Sequence, residues 1–580
     1  MSVPNLVQYG AFLLVVLVLV KPVGGYLQRV FAGQRTFLDP LLRPFERGIY
    51  RLAGIDPARQ MDGKQYAIAF VLFGLLGTLL LYAILRLQAV VPAANSAHLT
   101  TPLTPDLAFN TAVSFTTTTT WQAYAGETTM SYLSQILGLA AQSFLAGAAG
   151  LAVGVAFIRG FANDRSAMLG NFWVDLVRAL LWVLLPVSVV GAVVLIWQGV
   201  PMNVNPYVHA TTLEGAHQVI AQGPVAAQQW IELMGTNGGG FFNVNTAHPF
   251  ANPTPLTNFV EMLAIVVVPA GLTNTFGRMV GRPRQGWVLF WVMMALFVGG
   301  LIIGGVAEQN GNPRLAPYAS QVSSDASALT TQPGGNMEGK EVRFGIGSSE
   351  LTEEVTSNTS TGSTNSLPDS YTPVGGAVPL VNMLLGDIIF GGLGSGLYGM
   401  VMVALLGLFI TGLMVGRTPE YLGKKIQERE IKLIMIYTLI GPLALLLLTA
   451  VAVVTPAGLA GLTTNNGPHG LSEILFAYSS NFTNNGQTFA GLSANSPFYN
   501  LTAVVAMLLG RFGLAIPALM LAGRFGSQPH RAPTPGTLPT DTPLFASVII
   551  GTVLIVGALT YFAVVALGPV IEQLLVNASH

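Results

Sequence analysis

Ten apolar segments, each long enough to cross a bilayer, constrain this chain of 580 residues more than any other feature of its sequence. A membrane helix needs about 20 mostly apolar residues. That requirement is met by segments 6–25, 65–86, 131–158, 173–198, 257–276, 286–307, 376–414, 431–455, 498–523 and 544–568. Charged residues make up only 9% of the chain, against roughly 25% in soluble proteins, so lipid must be the solvent for much of its surface. The sequence therefore predicts an all-α integral membrane protein with ten transmembrane helices.

Basic residues are distributed unevenly between the loops on the two sides of these helices. The loops 21–64, 159–178, 278–284, 417–432 and 524–531 contain 21 of the 26 Lys and Arg residues. The loops on the opposite side contain four, namely Arg86, Arg314, Lys340 and Arg343, and Arg511 lies within a span. Because loops rich in Lys and Arg stay in the cytoplasm, both termini are predicted to lie on the outer face.

Four of the predicted outer loops contain an apolar stretch of about 10–14 residues, too short to cross the membrane, followed by a run of small polar residues. The runs are 116–122 (TTTTTWQ), 236–240 (TNGGG), 359–362 (TSTG) and 483–486 (TNNG). Gln122 lies 116 residues before Gly238, which lies 124 before Gly362, which lies 124 before Gly486. A fixed period of this kind indicates an internal repeat.

Each repeat is predicted to contain a helix, a half-crossing pore helix, an extended polar run and a second helix. The predicted boundaries are 1–64 for an extra N-terminal helix with its cytoplasmic loop, 65–158, 173–276, 286–414 and 431–523 for repeats one to four, and 524–580 for an extra C-terminal helix. One run of this composition is typical of a surface turn. Four runs at matching positions favour a pore.

The composition of the runs suits a dehydrated monovalent cation. Backbone carbonyls can replace its hydration shell without fixed charge, glycine lets the backbone turn those carbonyls inward, and Thr and Ser add hydroxyl oxygens. Irregular backbone at membrane depth is tolerated only where it lines protein or a water-filled path. The C-terminal ends of the four short helices would also direct partial negative charge at the cavity. We therefore expect a cation-selective filter.

The third repeat departs from the pattern in two ways. Its pore helix, near Ser348 to Asn358, contains Glu353 and Glu354, which would either attract cations at the mouth or face solvent. Its following segment, 376–414, has 39 residues and as one helix would reach ~58 Å. The cluster 391–396 (GGLGSG) therefore predicts a break, the alternative being a glycine-lined face for helix packing.

Arg511 lies in the middle of a predicted span, after the fourth run. A charged residue there is costly and usually functional. It would either repel cations near the pore and limit passive leak or pair with a carboxylate on a neighbouring helix. The span carboxylates Asp175, Glu261 and Asp387 are too far apart in sequence to predict an acid–base pair.

Other function classes find no support in the sequence. The chain has no Cys, and none of its seven His residues lies at metal-ligand spacing from another, so no zinc site is predicted. A net charge of zero gives no attraction to nucleic acid. Segment 334–340 (GGNMEGK) resembles a phosphate-binding loop, but Glu341 follows it and the segment lies in a predicted outer loop. Segment 394–399 (GSGLYG) lies inside a span rather than a βαβ unit, and no DKTGT phosphorylation motif is present. We predict no catalytic residue, no bound nucleotide and no ATP hydrolysis by this chain.

Four segments carry a resemblance to a known family. They are 126–129 (GETT), 238–243 (GGGFFN), 416–425 (GRTPEYLGKK) and 491–495 (GLSAN). Over nearly its whole length the chain resembles the potassium-binding A subunits (KdpA) of Kdp-type P-type ATPases, relatives of the Trk-type potassium transporters. The resemblance implies a fold of the potassium transporter superfamily and a location in the bacterial inner or plasma membrane.

The resemblance also implies a function within a pump of several subunits. This subunit would take up K⁺ from outside in the filter and pass it through an intramembrane tunnel to a separate ATPase subunit, KdpB, with KdpC and KdpF as accessory subunits. Membrane lipid would surround it, and no nucleic acid would bind. The alternative is a self-sufficient potassium channel or a cation-coupled potassium symporter of the same superfamily.

Site positions follow from the same resemblance. The implied filter residues are Thr119, Thr120, Gln122, Thr236, Asn237, Gly238, Ser360, Thr361, Gly362, Asn484, Asn485 and Gly486. The implied pore or gate residues are Arg511 and the glycines of the predicted break, Gly391, Gly392, Gly394 and Gly396, whose loop would block the direct route to the cytoplasm.

Overall fold

The computed structural model describes residues 3–90, 99–315, 334–532 and 537–578. His98 and His580 lie outside these residues. Within them, ten helices are long and apolar enough to cross a membrane, and we number them spans 1 to 10. They are Val3–Phe31, Gly63–Leu87, Ser134–Ala162, Phe172–Trp197, Pro255–Met279, Pro283–Asn310, Ser395–Val415, Glu428–Val454, Pro497–Ser527 and Pro543–Ala578. The predicted all-α membrane fold with ten spans is confirmed.

The first turns of the spans use familiar helix-start signals. Asp62 and Gln65 form a reciprocal capping box at the start of span 2, and Thr254 and Thr257 do the same at span 5. Each box satisfies two backbone N–H groups that the helix itself leaves unpaired. Pro255 follows the cap of span 5 at a position where a missing N–H does no harm. These local signals set where the chain enters each helix.

Four shorter helices lie between consecutive spans on the predicted outer side, and we call them pore helices 1 to 4. They are Pro105–Thr116, Val225–Met234, Gly345–Asn358 and Gly467–Phe482. With 10 to 16 residues they extend only ~15–24 Å, which is less than the ~30 Å hydrocarbon core. One of the four polar runs follows each of them. The predicted order of helix, pore helix, polar run and helix therefore occurs four times, with one further span at each end, while the exact repeat boundaries stay a prediction.

The predicted seventh span is divided, as its length and glycine cluster indicated. Residues 376–414 form a short helix, Pro373–Leu384, and span 7, Ser395–Val415, with an inner loop of residues 385–394 between them. Gly391 and Gly394 have φ of 67° and 93°, the left-handed region that glycine adopts without a steric penalty. The alternative of one continuous helix with a glycine-lined packing face is wrong.

The predicted cytoplasmic side is held together by charged residues at the span ends. Arg159 of span 3 donates to Asp175 of span 4 through Nη1 at 2.5 Å and Nη2 at 2.8 Å. The Tyr66 hydroxyl of span 2 donates to Asp175 at 3.0 Å. Nearby, Glu46 lies on the helix Asp39–Ala53, and its Oε1 is 3.1 Å from Arg178 Nε. These contacts explain Asp175 as a structural residue of the bundle.

Short antiparallel strands connect several loops. Val208–Thr211 pairs with His217–Ile220 as a hairpin on the predicted outer side. Met61–Asp62 pairs with Met168–Gly170, and Glu420–Tyr421 pairs with Lys424–Lys425. The sheet pieces add no separate domain, and the core consists of packed helices. Many large apolar side chains on the outward faces of the spans are exposed, such as Leu72, Leu76 and Leu79, which suits contact with lipid.

Candidate functional site

The four polar runs leave their pore helices in the same conformation. In each run one amide donates to the carbonyl five residues earlier in the pore helix: Thr119 to Ser114 at 2.9 Å, Asn237 to Glu232 at 2.9 Å, Thr361 to Thr356 at 3.3 Å and Asn485 to Ser480 at 2.9 Å. This shared hydrogen bond identifies equivalent positions in the four repeats. All four of these residues are fully buried.

The residues on either side of each equivalent position have positive φ. The values are 65° and 47° for Thr118 and Thr120, 50° and 69° for Thr236 and Gly238, 54° and 80° for Ser360 and Gly362, and 57° and 87° for Asn484 and Gly486. Positive φ is uncommon for residues with a side chain, and such strain concentrates at functional sites. The same unusual backbone at four separate places points to a common task.

The register of the first run differs from the one that the residue spacing indicated. The spacing paired Gln122 with Gly238, whereas the backbone gives that place to Thr120. Gln122 lies two residues farther along, where its Nε2 donates to the Gly240 carbonyl at 3.1 Å and its Oε1 accepts from the Gly240 amide at 2.9 Å. Gln122 thus joins the ends of the first and second runs. Thr118, absent from the predicted set, is the counterpart of Thr236.

The four runs close into a ring. A Cβ built on Gly238 would collide with the Thr361 carbonyl, and one on Gly362 would collide with the Asn485 carbonyl. A Cβ on Gly486 would collide with the Thr119 carbonyl. The ring closes between the first and second runs, where the Thr120 hydroxyl donates to the carbonyl of Asn237. The carbonyls of the four equivalent residues are therefore each in contact with the neighbouring run, in the order one, two, three, four and back to one.

A cavity lies on the predicted outer side of this ring. The cavity has a volume of about 520 Å³ and is lined by Thr120 and Gly486 of the runs themselves. Its remaining polar lining includes Gln122, Asn243 and Thr488. The first and fourth runs thus border this cavity.

The inner loop, 385–394, lies against the runs on the other side. The Leu393 amide donates to Thr236 Oγ1 at 2.9 Å, and a Cβ on Gly392 would lie 3.3 Å from Ser360 Cβ. The loop also packs closely on span 3, since Gly394 Cα would lie 2.6 Å from a Cβ on Gly154. Small residues on both partners are what allow this approach. Through Leu393 and Gly392 the inner loop thus contacts the second and third runs.

Arg511 lies at the same inner position, on a π-helical turn of span 9, Leu509–Gly513. Its Nη1 donates to Thr118 Oγ1 at 3.1 Å, and its Nη2 donates to the Ala146 carbonyl at 2.8 Å. Among the ion pairs of the described residues none includes Arg511, so the alternative, a carboxylate partner on a neighbouring helix, is wrong. A buried guanidinium beside the first run keeps its positive charge uncompensated by a neighbouring acid.

Asp387 also contacts the runs, a contact that the sequence did not indicate. It lies on the inner loop, and Asn485 Nδ2 of the fourth run donates to its Oδ2 at 3.1 Å. Its Oδ1 has no hydrogen-bond partner among the described residues. An acid directly before a glycine cluster, inside a membrane segment that breaks there, is a signal that could have indicated it.

Glu353 and Glu354 of pore helix 3 are both buried, so the interpretation that they face solvent is wrong. Glu353 accepts from Thr364 Oγ1 at 2.8 Å and also from Gln487, beyond the fourth run. Glu354 accepts from Asn358 at 2.6 Å and from Asn382 at 3.1 Å. Glu353 thus connects the segments that follow the third and fourth runs, and Glu354 connects pore helix 3 to the helix Pro373–Leu384. Composition alone could not show the contact with Gln487, which lies 134 residues from Glu353 in sequence.

Comparison with known proteins shows which family the chain matches. Residues 10–574 match the family KdpA, described as "Potassium-transporting ATPase A subunit". The "Potassium-transporting ATPase potassium-binding subunit" of Methylobacterium nodulans is 54% identical over 566 residues, which cover 98% of this chain and 96% of that protein. The protein of the same name from Granulibacter bethesdensis is 51% identical over 574 residues, or 99% of both chains.

One solved structure is also similar. The crystal structure of the potassium transporter TrkH from Vibrio parahaemolyticus aligns with a TM-score of 0.45 at 14% identity, covering 71% of this chain and 77% of that chain. A TM-score at that level carries no argument about this chain.

Proposed function

The chain belongs to the KdpA family of potassium-transporting ATPase A subunits, and from that membership we propose that it selects K⁺ for a pump whose ATPase activity lies in another subunit. The observation that carries the proposal is the closed ring of four equivalent polar runs. A ring of this kind offers oxygens on all sides of one axis, which is what a dehydrated monovalent cation requires. K⁺ is thus a substrate of this chain, and no nucleotide is needed here.

The proposed filter consists of Thr119, Thr120, Gln122, Thr236, Asn237, Gly238, Ser360, Thr361, Gly362, Asn484, Asn485 and Gly486, with Thr118 added from its conformation. Neutral carbonyl and hydroxyl oxygens favour a weakly hydrated ion over one that holds its water tightly. The four pore helices direct the partial negative charge of their C-terminal ends at the same centre. This electrostatic field supports a cation and disfavours an anion.

The proposed inner closure consists of Arg511 and the loop glycines Gly391, Gly392, Gly394 and Gly396. The support is the hydrogen bond from Leu393 to Thr236 and the guanidinium beside Thr118. A fixed positive charge at the inner end of the runs raises the energy of a cation that moves straight towards the cytoplasm. We infer that the ion instead leaves sideways, past the carboxylate of Asp387, into an intramembrane tunnel.

The remaining parts of the proposal concern partners and orientation. A P-type ATPase subunit of the KdpB type would receive the ion, and subunits of the KdpC and KdpF types would complete the complex. The basic loops support an orientation with both termini outside, and membership of the family supports a location in the bacterial inner or plasma membrane. The alternative is a self-sufficient channel or symporter, which would need the same filter but no partner.

Ion uptake distinguishes these two functions. Cells that lack their own potassium importers would express this chain alone, or with its ATPase partners, and rubidium uptake would be measured from micromolar external concentrations. We expect uptake only with the partners, and none when the phosphorylated aspartate of the ATPase subunit is replaced. Robust uptake by the chain alone would refute the pump-subunit function and favour the channel or symporter.

A further inference from the structure

Three acidic side chains surround one histidine on the predicted outer side, away from the runs. Asp369 lies in the turn Pro368–Ser370 that follows the third run. His469 and Glu473 lie one helical turn apart near the start of pore helix 4. Glu572 lies close to the end of span 10. The cluster therefore joins two filter repeats and the last span.

The histidine ring bonds to a carboxylate at each nitrogen. Nδ1 of His469 lies 2.7 Å from Glu572 Oε1, and Nε2 lies 2.8 Å from Asp369 Oδ1. Glu473 Oε1 is 4.0 Å from the same Nε2. One donor atom from each of Asp369, His469 and Glu473 lies within 4.8 Å of the other two. Ligand atoms around a tetrahedral zinc ion lie roughly 3.3–3.6 Å apart, so small side-chain shifts would suffice.

Glu473 supplies an independent sign that a cation is expected here. Its side chain is fully buried, and its Oε2 has no hydrogen-bond partner among the described residues. Its Oε1 accepts from Asn465 Nδ2 at 2.8 Å, and Gly491 leaves room for it, since a Cβ there would collide with that oxygen. An unpartnered buried carboxylate oxygen is costly, and a cation held by both oxygens of Glu473 would remove that cost.

The charge of the cluster points the same way. Three carboxylates face one imidazole, so the net charge is negative even when the ring is protonated. Among the described residues no ion pair joins a Lys or Arg side chain to the cluster. The field at this place strongly favours a cation.

We propose that Asp369, His469 and Glu473 bind a divalent transition-metal cation of the zinc type, and that Glu572 orients the imidazole. With Nδ1–H donated to Glu572, Nε2 becomes the ligand atom, and it already faces the other two ligands. A carboxylate behind a metal-bound histidine is the usual arrangement, and mixed imidazole and carboxylate ligands suit zinc. The bound metal would cross-link the segment after the third run to pore helix 4.

The proposed site was not expected from the sequence, which predicted no zinc site. That expectation rested on the spacing of histidines, and the ligands here are one histidine and two carboxylates. Asp369 lies 100 residues before His469, so no local motif connects them. The site is separate from the proposed filter, and its test does not depend on potassium transport.

Zinc binding to the purified full chain tests the proposal directly. The chain would be purified in detergent without a histidine tag, stripped of metal, and titrated with Zn²⁺ by calorimetry, with Mg²⁺ and Ca²⁺ for comparison. His209 and His217 lie on one exposed hairpin and could bind zinc adventitiously, so both are replaced by Asn in the starting protein. We expect one tight zinc equivalent per chain and no comparable binding of Mg²⁺ or Ca²⁺.

The variants Glu473→Gln and His469→Asn should each abolish this equivalent. The matched control His530→Asn, near the predicted cytoplasmic residue Asp164, should retain it. Glu572→Gln should keep the stoichiometry and weaken the affinity by about 10- to 100-fold, as expected of a residue behind the ligand.

Thermal melting of each variant without metal separates loss of binding from loss of fold. Zinc should raise the melting temperature of the starting protein and of His530→Asn, but not that of Glu473→Gln. Absence of a tight equivalent in the starting protein would overturn the proposal. Unchanged zinc binding in both Glu473→Gln and His469→Asn would overturn it as well.

Discussion

Replacing Gly362 by Ala should weaken potassium binding through the neighbouring run. Gly362 has φ of 80°, and an Ala in the left-handed region costs about 1–2 kcal/mol. The added Cβ would also collide with the Asn485 carbonyl, which must then move away from its place in the ring. Loss of one oxygen contact to a charged group costs about 1.5–3 kcal/mol. At about 1.4 kcal/mol per factor of ten, affinity should fall by about 10- to 150-fold.

Gly54→Ala is the matched control for that variant. Gly54 ends the helix Asp39–Ala53 with φ of 63°, and a Cβ built there meets nothing within 4 Å. It therefore carries the same backbone strain without a collision. The external rubidium concentration that gives half-maximal uptake would be measured for both variants in the assembled pump, at equal membrane abundance.

We expect Gly362→Ala to raise that concentration by at least tenfold, and Gly54→Ala to leave it within about twofold. Equal, small shifts in both variants would contradict the reasoning, because they would mean that the Asn485 carbonyl does not contact the ion. Gly238→Ala and Gly486→Ala should behave like Gly362→Ala, since each meets the carbonyl of the next run.

Three further predictions concern the inner closure and the orientation. Arg511→Gln removes the buried charge beside the first run and should allow passive rubidium flux into liposomes that contain the purified chain. Arg511→Lys keeps the charge, and liposomes with that variant should show no passive flux. If the flux through Arg511→Gln equals that through the unmodified chain, an electrostatic barrier is excluded. Asp387→Asn keeps a hydrogen-bond partner for Asn485 but removes the charge of the carboxylate. The maximal uptake rate of the pump should therefore fall by about tenfold or more, while the half-saturating concentration changes by less than about threefold. An unchanged maximal rate would exclude Asp387 from the ion path. Because the chain has no Cys, a single introduced Cys reports the side of the membrane on which it lies. Leu213→Cys should react with an impermeant maleimide in intact spheroplasts, and Ala58→Cys should react only after lysis. The reverse pattern would invert the predicted topology.

Hydropathy and charge were sufficient to predict the architecture, because a lipid solvent imposes strict rules on length and loop charge. The ten spans, the four pore helices and the break in span 7 all follow from those rules. The register of the first run does not, because five consecutive threonines from Thr116 to Thr120 look alike in sequence. Only the backbone conformation shows that Thr120 is the counterpart of Gly238.

Contacts between distant segments were equally hidden from the sequence. Glu353 was predicted to attract ions or face solvent, yet Thr364 and Gln487 enclose it. Arg511 was expected near the runs, and it does lie there, but its partners are a hydroxyl and a backbone carbonyl rather than an acid. Such partners depend on how the repeats pack together, and hydrophobic periodicity carries no information about that packing.

The ring built from four unequal runs has a consequence for how its selectivity can be altered. Three of its junctions use a glycine, and the fourth uses the hydroxyl of Thr120 on the Asn237 carbonyl. In a channel assembled from four identical chains, one codon change alters every quarter of the filter at once. Here each of the four runs has its own codons, so a single substitution changes one run and leaves the other three unchanged. Its effect on ion preference is then smaller than that of a change in all four runs. The ion affinity of the proposed filter is therefore open to gradual adjustment, one junction at a time.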